Sequence, residues 1–345
     1  MKKSKTALLR NLAILIVSLL FLVTGSGFVY TDQLLSKINY VPEPAGSKAQ
    51  TGPLFDGTES GGTESAKSGT VGGLYHDDAV TNILLLGVDD YQANDTGRSD
   101  SMMLVSVDTR HKKLKTTSFL RDMYVAIPGI GSNKLNAAYS LNGGKVNGAL
   151  GVVSTMEANF GVDIDRFVII DFTAFPKIID RLGGVTITLT SGEAKLVNQY
   201  SGDSRYNLTA GTFKLSGKQA LYYSRIRAIG DDYERTERQR KVFESLVSKM
   251  KTASLPTVLG ALSDTLPLVT TNMTKNEVVS MAQNSLTYLN YPVSEHRVPG
   301  DNEFQSEKVY IGKTKSDVLI PDLDKCKQSL ASFLYESDLP DKTYQ

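Results

Sequence analysis

The chain has 345 residues, with 38 Lys and Arg against 37 Asp and Glu for a formal net charge of +1, three His and one Cys. A balance this close to zero gives no global electrostatic case for a nucleic-acid partner, and a single thiol excludes an internal disulfide or a cysteine metal cage. His76, His111 and His296 lie in unrelated contexts, read as surface residues, and there is no P-loop or GxGxxG, so zinc catalysis, a Ser-His-Asp triad and nucleotide binding have no motif to rest on.

Residues 1–11 form a short tail carrying Lys2, Lys3, Lys5 and Arg10. The uncharged apolar run 12–30 follows, and its ~19 residues suffice to cross a hydrocarbon core of roughly 30 Å. The flanking cations keep the tail in the cytoplasm and put the rest of the chain outside. A cleaved signal peptide is the rival, since Thr24-Gly25-Ser26-Gly27 offers small residues. The apolar run continues past them without an A-x-A site, so an uncleaved signal-anchor is preferred. The segment from Val41 to about Asp77 is rich in Gly, Ser, Thr and Pro with almost no large apolar side chains, a composition that cannot offset the entropy of ordering, and residues 31–78 read as a flexible extracellular linker. Residues 79–336 contain no Gly/Pro-rich break and read as one large domain, followed by a tail, 337–345.

Within that domain, β-branched apolar runs predict strands at 82–87, 102–107, 116–120, 167–170 and 185–189. Apolar residues at three- and four-residue spacing predict helices at 146–160, 172–182, 241–250 and 257–266. Strands interleaved with helices indicate a layered α/β arrangement. Later segments 308–312 and 317–320 are expected to close the sheet, and 324–335 to supply a last helix.

The densest chemistry lies in YYSRIRAIGDDYERTERQRK, 222–241, where Arg225, Arg227, Arg235, Arg238 and Arg240 surround Asp231 and Asp232. Planar guanidiniums clamp phosphate oxygens bidentately. Arg225 and Arg227 share a face if extended, as do Arg235 and Gln239 if helical, so two arrays can converge on one polyanion. The plain alternative is a salt-bridged, solvated helix. Asp89 and Asp90 end the first long strand, and Arg98-Ser99-Asp100-Ser101 immediately precedes the second. Both positions fall at strand ends, where two carboxylates can hold Mg²⁺ alongside substrate phosphates or simply cap turns. Arg121, in FLRDMY, and Lys134, in KLNAAY, would add two cations near the same edge unless each serves only a local carboxylate or the surface.

Taken in order, NILLLGVDD, RSDSMMLVSVD, FLRDMYVAIPG, KLNAAYSLNGG, IIDRLGGV and YSRIRAIGDDYERTERQR, behind a basic tail and an apolar anchor, resemble the LytR-CpsA-Psr family of bacterial cell-wall ligases. The resemblance implies an α/β/α sandwich around a central mixed sheet, with an apolar pocket for a polyprenyl chain. It implies a phosphotransferase that moves a glycopolymer (wall teichoic acid, capsular polysaccharide or a related polymer) from a polyprenyl diphosphate carrier to peptidoglycan through a phosphodiester bond, working outside the cell on a single-pass membrane anchor. Asp89 and Asp100 match the Mg²⁺-associated aspartates (Mn²⁺ being an alternative ion), and Arg98, Arg121, Arg225, Arg227, Arg235 and Gln239 match the diphosphate contacts. Lys134 matches by local context. Either Asp231 or Asp232 matches the acidic residue ahead of Arg235, with Asp232 preferred; Asp89, Asp100 or Asp232 would take the acceptor's proton. Two other functions use the same residues: a membrane-anchored regulator that binds the lipid-linked polymer without turnover, and a diphosphatase with water as acceptor. The apolar stripes at 146–160, 172–182 and 241–250 would admit the lipid, or only fill the core.

Overall fold

The computed structural model describes residues 36, 39–41, 68–71, 73–89, 96–171, 173–202, 207–230, 232–252 and 269–336. The expected tail 1–11, anchor 12–30, helix 257–266 and C-terminal tail 337–345 lie outside these residues, as do Asp90 and Asp231. Among the described residues no helix is long and apolar enough to cross a membrane.

The centre is a mixed seven-stranded sheet in the order β1 (Asn39–Tyr40), β12 (Val269–Thr271), β9 (Arg166–Asp171), β4 (Val80–Val88), β5 (Ser99–Asp108), β6 (Lys113–Phe119) and β13 (Val293–Val298). Strands β4, β5 and β6 run antiparallel in turn, while β9 pairs with β4, and β13 with β6, in parallel. Because side chains alternate along a strand, the even residues Leu84 and Leu86 of β4 enter one core, with Phe160, Phe167 and Leu330. The odd residues Ile83 and Leu85 face the opposite layer, where Phe243, Met281 and Tyr288 pack. Helices α2 (Lys145–Phe160) and α8 (Leu323–Tyr335) cover the first face, and α6 (Asp232–Thr252) and α7 (Lys275–Leu289) the second. This is an α/β/α sandwich. A lateral lobe with its own core, including Ile179, Ile187, Val197, Tyr223 and Val242, joins α3 (Ala174–Arg181), the ribbon β10 (Val185–Leu189) and β11 (Gly211–Leu215), α4 (Ser191–Ser201) and α5 (Gly217–Ser224) to α6.

Three expectations are corrected. Segments 308–312 and 317–320 do not close the sheet: they belong to a separate antiparallel ribbon, β14 (Phe304–Ile311) with β15 (Thr314–Pro321), while the half-polar VSEHRV of β13 forms the edge beside β6. The ordered fold starts before residue 79, inside the stretch read as linker, because Asn39–Tyr40 pairs with β12 and the hairpin β2 (Ser68–Val71) to β3 (Leu74–Asp77) docks on the domain. Its anchors are too short for a composition window to find: Tyr75 exchanges backbone bonds with Gly161 and Asp163, and buried Asp77 pairs with Arg110 at 2.6 Å.

The histidines are not surface residues. His111 pairs with buried Asp108 at 2.8 Å, His296 stacks on Phe333, and His76 bridges Asp163 and Asp78 at 3.0 Å each. Hydrogen bonding to Asp163 pushes His76 up to about 9, against an ordinary 6.5. The folded state thus favours the imidazolium, so this contribution to stability is complete below about pH 6.5 and is lost as pH rises through about 9. Thermal melts between those values are expected to show a fall in Tm that is markedly flatter in His76→Asn; parallel curves would remove the clamp from the account.

Candidate active site at the ends of two central strands

Strand β4 ends at Val88 and Asp89 follows, while β5 starts beside it with Ser99 and Asp100. The register shifts between Gly87 and Val88, and such a bulge re-aims the side chains beyond it. Gly87 allows a close approach of the two strands: a Cβ there would lie 3.0 Å from Ser101 Cβ, tight enough that Ser101 would have to give. Both carboxylates therefore sit at one end of the sheet.

Four guanidiniums converge on them from three directions. Arg121, just past β6, donates from Nη1 to Asp100 Oδ1 at 2.9 Å; Arg227 donates from Nη2 to Asp100 Oδ2 at 2.7 Å. Arg235, 3% exposed on the first turn of α6, reaches the Asp100 carbonyl at 3.2 Å and Oδ2 at 3.4 Å. Arg225, which caps α5, lies 3.3 Å from Asp89 Oδ2. Burial pushes the Asp100 carboxyl up, but the charges of Arg235, Arg121 and Arg227 outweigh it and hold the group below its ordinary value. Four guanidiniums against two carboxylates leave two positive charges in excess, which suits a diphosphate.

Local sequence explains the convergence. Helix α5 starts on a capping box, Ser216 with Gln219, and ends at Arg225. The chain then passes through Gly230, whose φ of 74° turns it into α6. Buried Arg238 donates to the carbonyls of Ile226 at 3.0 Å and Ile229 at 3.3 Å, so it pins the loop that presents Arg227. Arg240 pairs with Glu295 at 2.9 Å on the edge strand. Both are neighbours of the cluster rather than members.

Gln239, one turn beyond Arg235, accepts from Ser101 Oγ at 3.0 Å. Arg98 is exposed at the same strand end, and its carbonyl accepts from the Asp89 N–H at 3.2 Å. Lys134 donates from Nζ to Asp122 at 2.7 Å, and Asp122 in turn lies 3.5 Å from Arg121 Nε, so this carboxylate links Lys134 to the cluster. Asp232 is the first residue of α6. Ser101 and Asp122 were not singled out from sequence; each is adjacent to a residue that was, which is the one signal that could have found them.

A cavity of about 250 Å³ opens from this cluster into the protein, with Asp100, Arg225, Arg235 and Gln239 at its polar end. Its walls are apolar: Met103 from the sheet, Phe175 and Ile178 from α3, Leu221 from α5, Phe243 and Leu246 from α6. Of the three helices expected to admit a lipid, 172–182 and 241–250 line this cavity. Helix 146–160 does not, because its apolar stripe is taken up under the opposite face of the sheet. An apolar cleft ending in clustered cations is matched to an amphiphile with a long hydrocarbon and a phosphorylated head, since each buried CH₂ contributes ~0.8 kcal/mol and the head stays on the guanidiniums.

The LytR_cpsA_psr family model matches residues 55–323, which takes in the whole cluster and cavity. The chain belongs to this family. Among curated relatives, the regulatory protein MsrR of Staphylococcus aureus (strain Mu50) is 34% identical over 197 residues, 55% of this chain and 56% of its own length. The match thus spans a little over half of MsrR. The polyisoprenyl-teichoic acid–peptidoglycan teichoic acid transferase TagU of Oceanobacillus iheyensis is 31% identical over 257 residues, 73% of this chain and 72% of TagU. Among solved structures, TagT bound to LIIa-WTA superposes with a TM-score of 0.59 at 25% identity, covering 74% of this chain and 91% of TagT. The mixed sheet between helical layers is the fold of this family.

Proposed function

We propose that the protein is a phosphotransferase that moves a glycopolymer from a polyprenyl diphosphate carrier to peptidoglycan through a phosphodiester bond. The observation that carries this is the joining of an apolar cavity to four guanidiniums at one strand end. Phosphoryl transfer asks little covalent chemistry of a protein and much charge neutralisation and positioning, and the energy is already stored in the lipid-linked donor. TagU is named for the same transfer and TagT is titled with a bound WTA species, which supports teichoic acid, among wall polymers that include capsule, as the glycopolymer class.

Asp100 is spent on three guanidiniums and is a weak base. Asp89, with one ion pair at 3.3 Å, is better placed than Asp100 to take the acceptor hydroxyl's proton while no metal is on it, and a carboxylate holding Mg²⁺ would be a poor base. Mg²⁺ fits the pair if it keeps several waters and takes only one or two carboxylates, its usual mode beside phosphates. Among the described residues, sets of three potential ligands lie elsewhere, at His76, Asp163 and Asp165 and at Asp108, His111 and Glu336. When bound to Asp89 and Asp100, Mg²⁺ would neutralise charge on a phosphate oxygen. The domain works outside the cell, held to the membrane by residues 12–30 as an uncleaved anchor, with the basic tail 1–11 cytoplasmic; that placement rests on the apolar run and its flanking cations.

The test is transfer by the full chain in detergent, with prenyl diphosphate-linked saccharides of two prenyl lengths and uncrosslinked peptidoglycan oligomers, with Mg²⁺ or a chelator, followed by mass spectrometry. A phosphodiester-linked conjugate is expected, and Ile178→Trp, which fills the cavity, is expected to weaken the longer donor by about tenfold relative to the shorter. Cleaved donor without conjugate would make it a diphosphatase, and binding without either product a regulator.

A further inference from the structure

A second cavity, of about 500 Å³, opens between the β14–β15 ribbon and the start of α6, and it shares no lining residue with the apolar one. The two meet at the arginines. Asp122 lines the second cavity and touches Arg121, while Tyr233 lines it two residues ahead of Arg235.

Asp122, Glu307, Asp317 and Lys308 line this second cavity, with Asp122 held by Lys134 at 2.7 Å and Arg121 at 3.5 Å and Asp317 by Lys308 at 3.5 Å, so its walls offer carboxylate oxygens as hydrogen-bond acceptors. The ring of Tyr233 packs on Phe304 with centroids 5.9 Å apart, and the Arg297 guanidinium lies 3.8 Å over Tyr233 and fixes it. Rigid aromatic surface beside carboxylates and the Ser306 hydroxyl suits sugar rings, which offer apolar faces and hydroxyl donors. The same side of β14 carries Phe304, Ser306 and Lys308 in the wall of the cavity and, beyond its lining, Tyr310, which is 70% exposed.

We propose that this cavity is the acceptor subsite, holding a glycan strand with one hydroxyl presented at the Arg121 and Arg235 edge. The inference rests on the transferase reading of the adjoining cluster. In the reaction, the acceptor oxygen forms a bond to the phosphorus that carries the glycopolymer. The bond from that phosphorus to the bridging oxygen of the diphosphate breaks, prenyl phosphate leaves with the electron pair, and the hydroxyl proton passes to a carboxylate and then to solvent.

The test compares the full chain with Ser306→Trp and Asp317→Lys, both on the exposed ribbon, by measuring transfer against peptidoglycan oligomer concentration and, separately, binding of a prenyl diphosphate probe. The half-saturating oligomer concentration is expected to rise about tenfold in Ser306→Trp and to rise in Asp317→Lys, with probe binding unchanged. Unchanged oligomer dependence would overturn the inference, and so would a shift in saturation by the polymer-linked donor, which would give the cavity to the donor chain. Should the wild-type protein transfer nothing, calorimetric titration with the same oligomers decides: binding weakened by both variants keeps the subsite while the transferase reading falls, and no binding at millimolar oligomer overturns the subsite.

Discussion

Arg235→Ala is expected to lower the transfer rate at saturating donor by about 10²- to 10³-fold, the usual cost of removing one preorganised donor from a developing phosphoryl charge. Arg235 is singled out by its setting. It is 3% exposed, it lines the apolar cavity at its polar end, and its Nη2 is held by the Asp100 carbonyl at 3.2 Å, so it needs no reorganisation when charge develops. Arg227 pairs with the same carboxylate, at 2.7 Å, but its side chain is 54% exposed. Solvent screens it, and Arg227→Ala is expected to act mainly on KM, with a smaller loss in kcat. The fold should survive the loss of Arg235, because Asp100 keeps Arg121 and Arg227 as partners. A folded Arg235→Ala protein with kcat within about twofold of wild type would remove Arg235 from the reaction.

How much of this could be read in advance depended on whether the deciding interactions were local. Strands β4 and β5 are buried nearly throughout, and their unbroken apolar runs announced them. The helix 145–160 was equally plain from its spacing, yet which face of the sheet it covers is a tertiary matter, and whether its stripe admits lipid or fills the core stayed open until the fold placed it in the core. Helices α4 and α5 went unnoticed although their capping boxes, Thr190 with Glu193 and Ser216 with Gln219, stand in the sequence; their apolar faces serve a small side core. The β14–β15 ribbon has alternating exposed polar residues and pairs only with itself, so nothing local distinguished it from a sheet edge. At the site, the arginine-rich motif was legible as a cluster of cations, but its organisation around Asp100 was not. Three guanidiniums reach that carboxylate from residues 21, 127 and 135 positions away, a separation no local pattern encodes. The pairing of Lys134 with Asp122 was not legible for the related reason that it forms only when the β7 (Tyr124–Ile127) to β8 (Gly131–Lys134) hairpin folds back.

Asp100→Asn separates two meanings of that arrangement. If Asp100 organises the cations, neutralising it takes a carboxylate at 3.4 Å away from Arg235, whose side chain is 4% exposed, a loss that costs about 3 kcal/mol at the low end for a broken buried pair. The low end applies because Arg121 and Arg227 are partly solvated, at 18% and 54% exposure, and the amide oxygen still accepts a hydrogen bond. Transfer is then expected to fall by at least about 10²-fold, since three guanidiniums lose their common anchor. An added anion should partly restore the stability: pyrophosphate at a hundred times its Kd contributes ~2.7 kcal/mol to whichever form binds it, and the variant, lacking the competing carboxylate, should bind it more tightly than wild type. Thermal melts with and without pyrophosphate are therefore expected to show a lower baseline Tm for Asp100→Asn and a larger rise on addition. If Asp100 were instead the proton acceptor, activity would vanish with Tm and pyrophosphate response both matching wild type, and the role of organiser would pass from Asp100 to the loop pinned by Arg238.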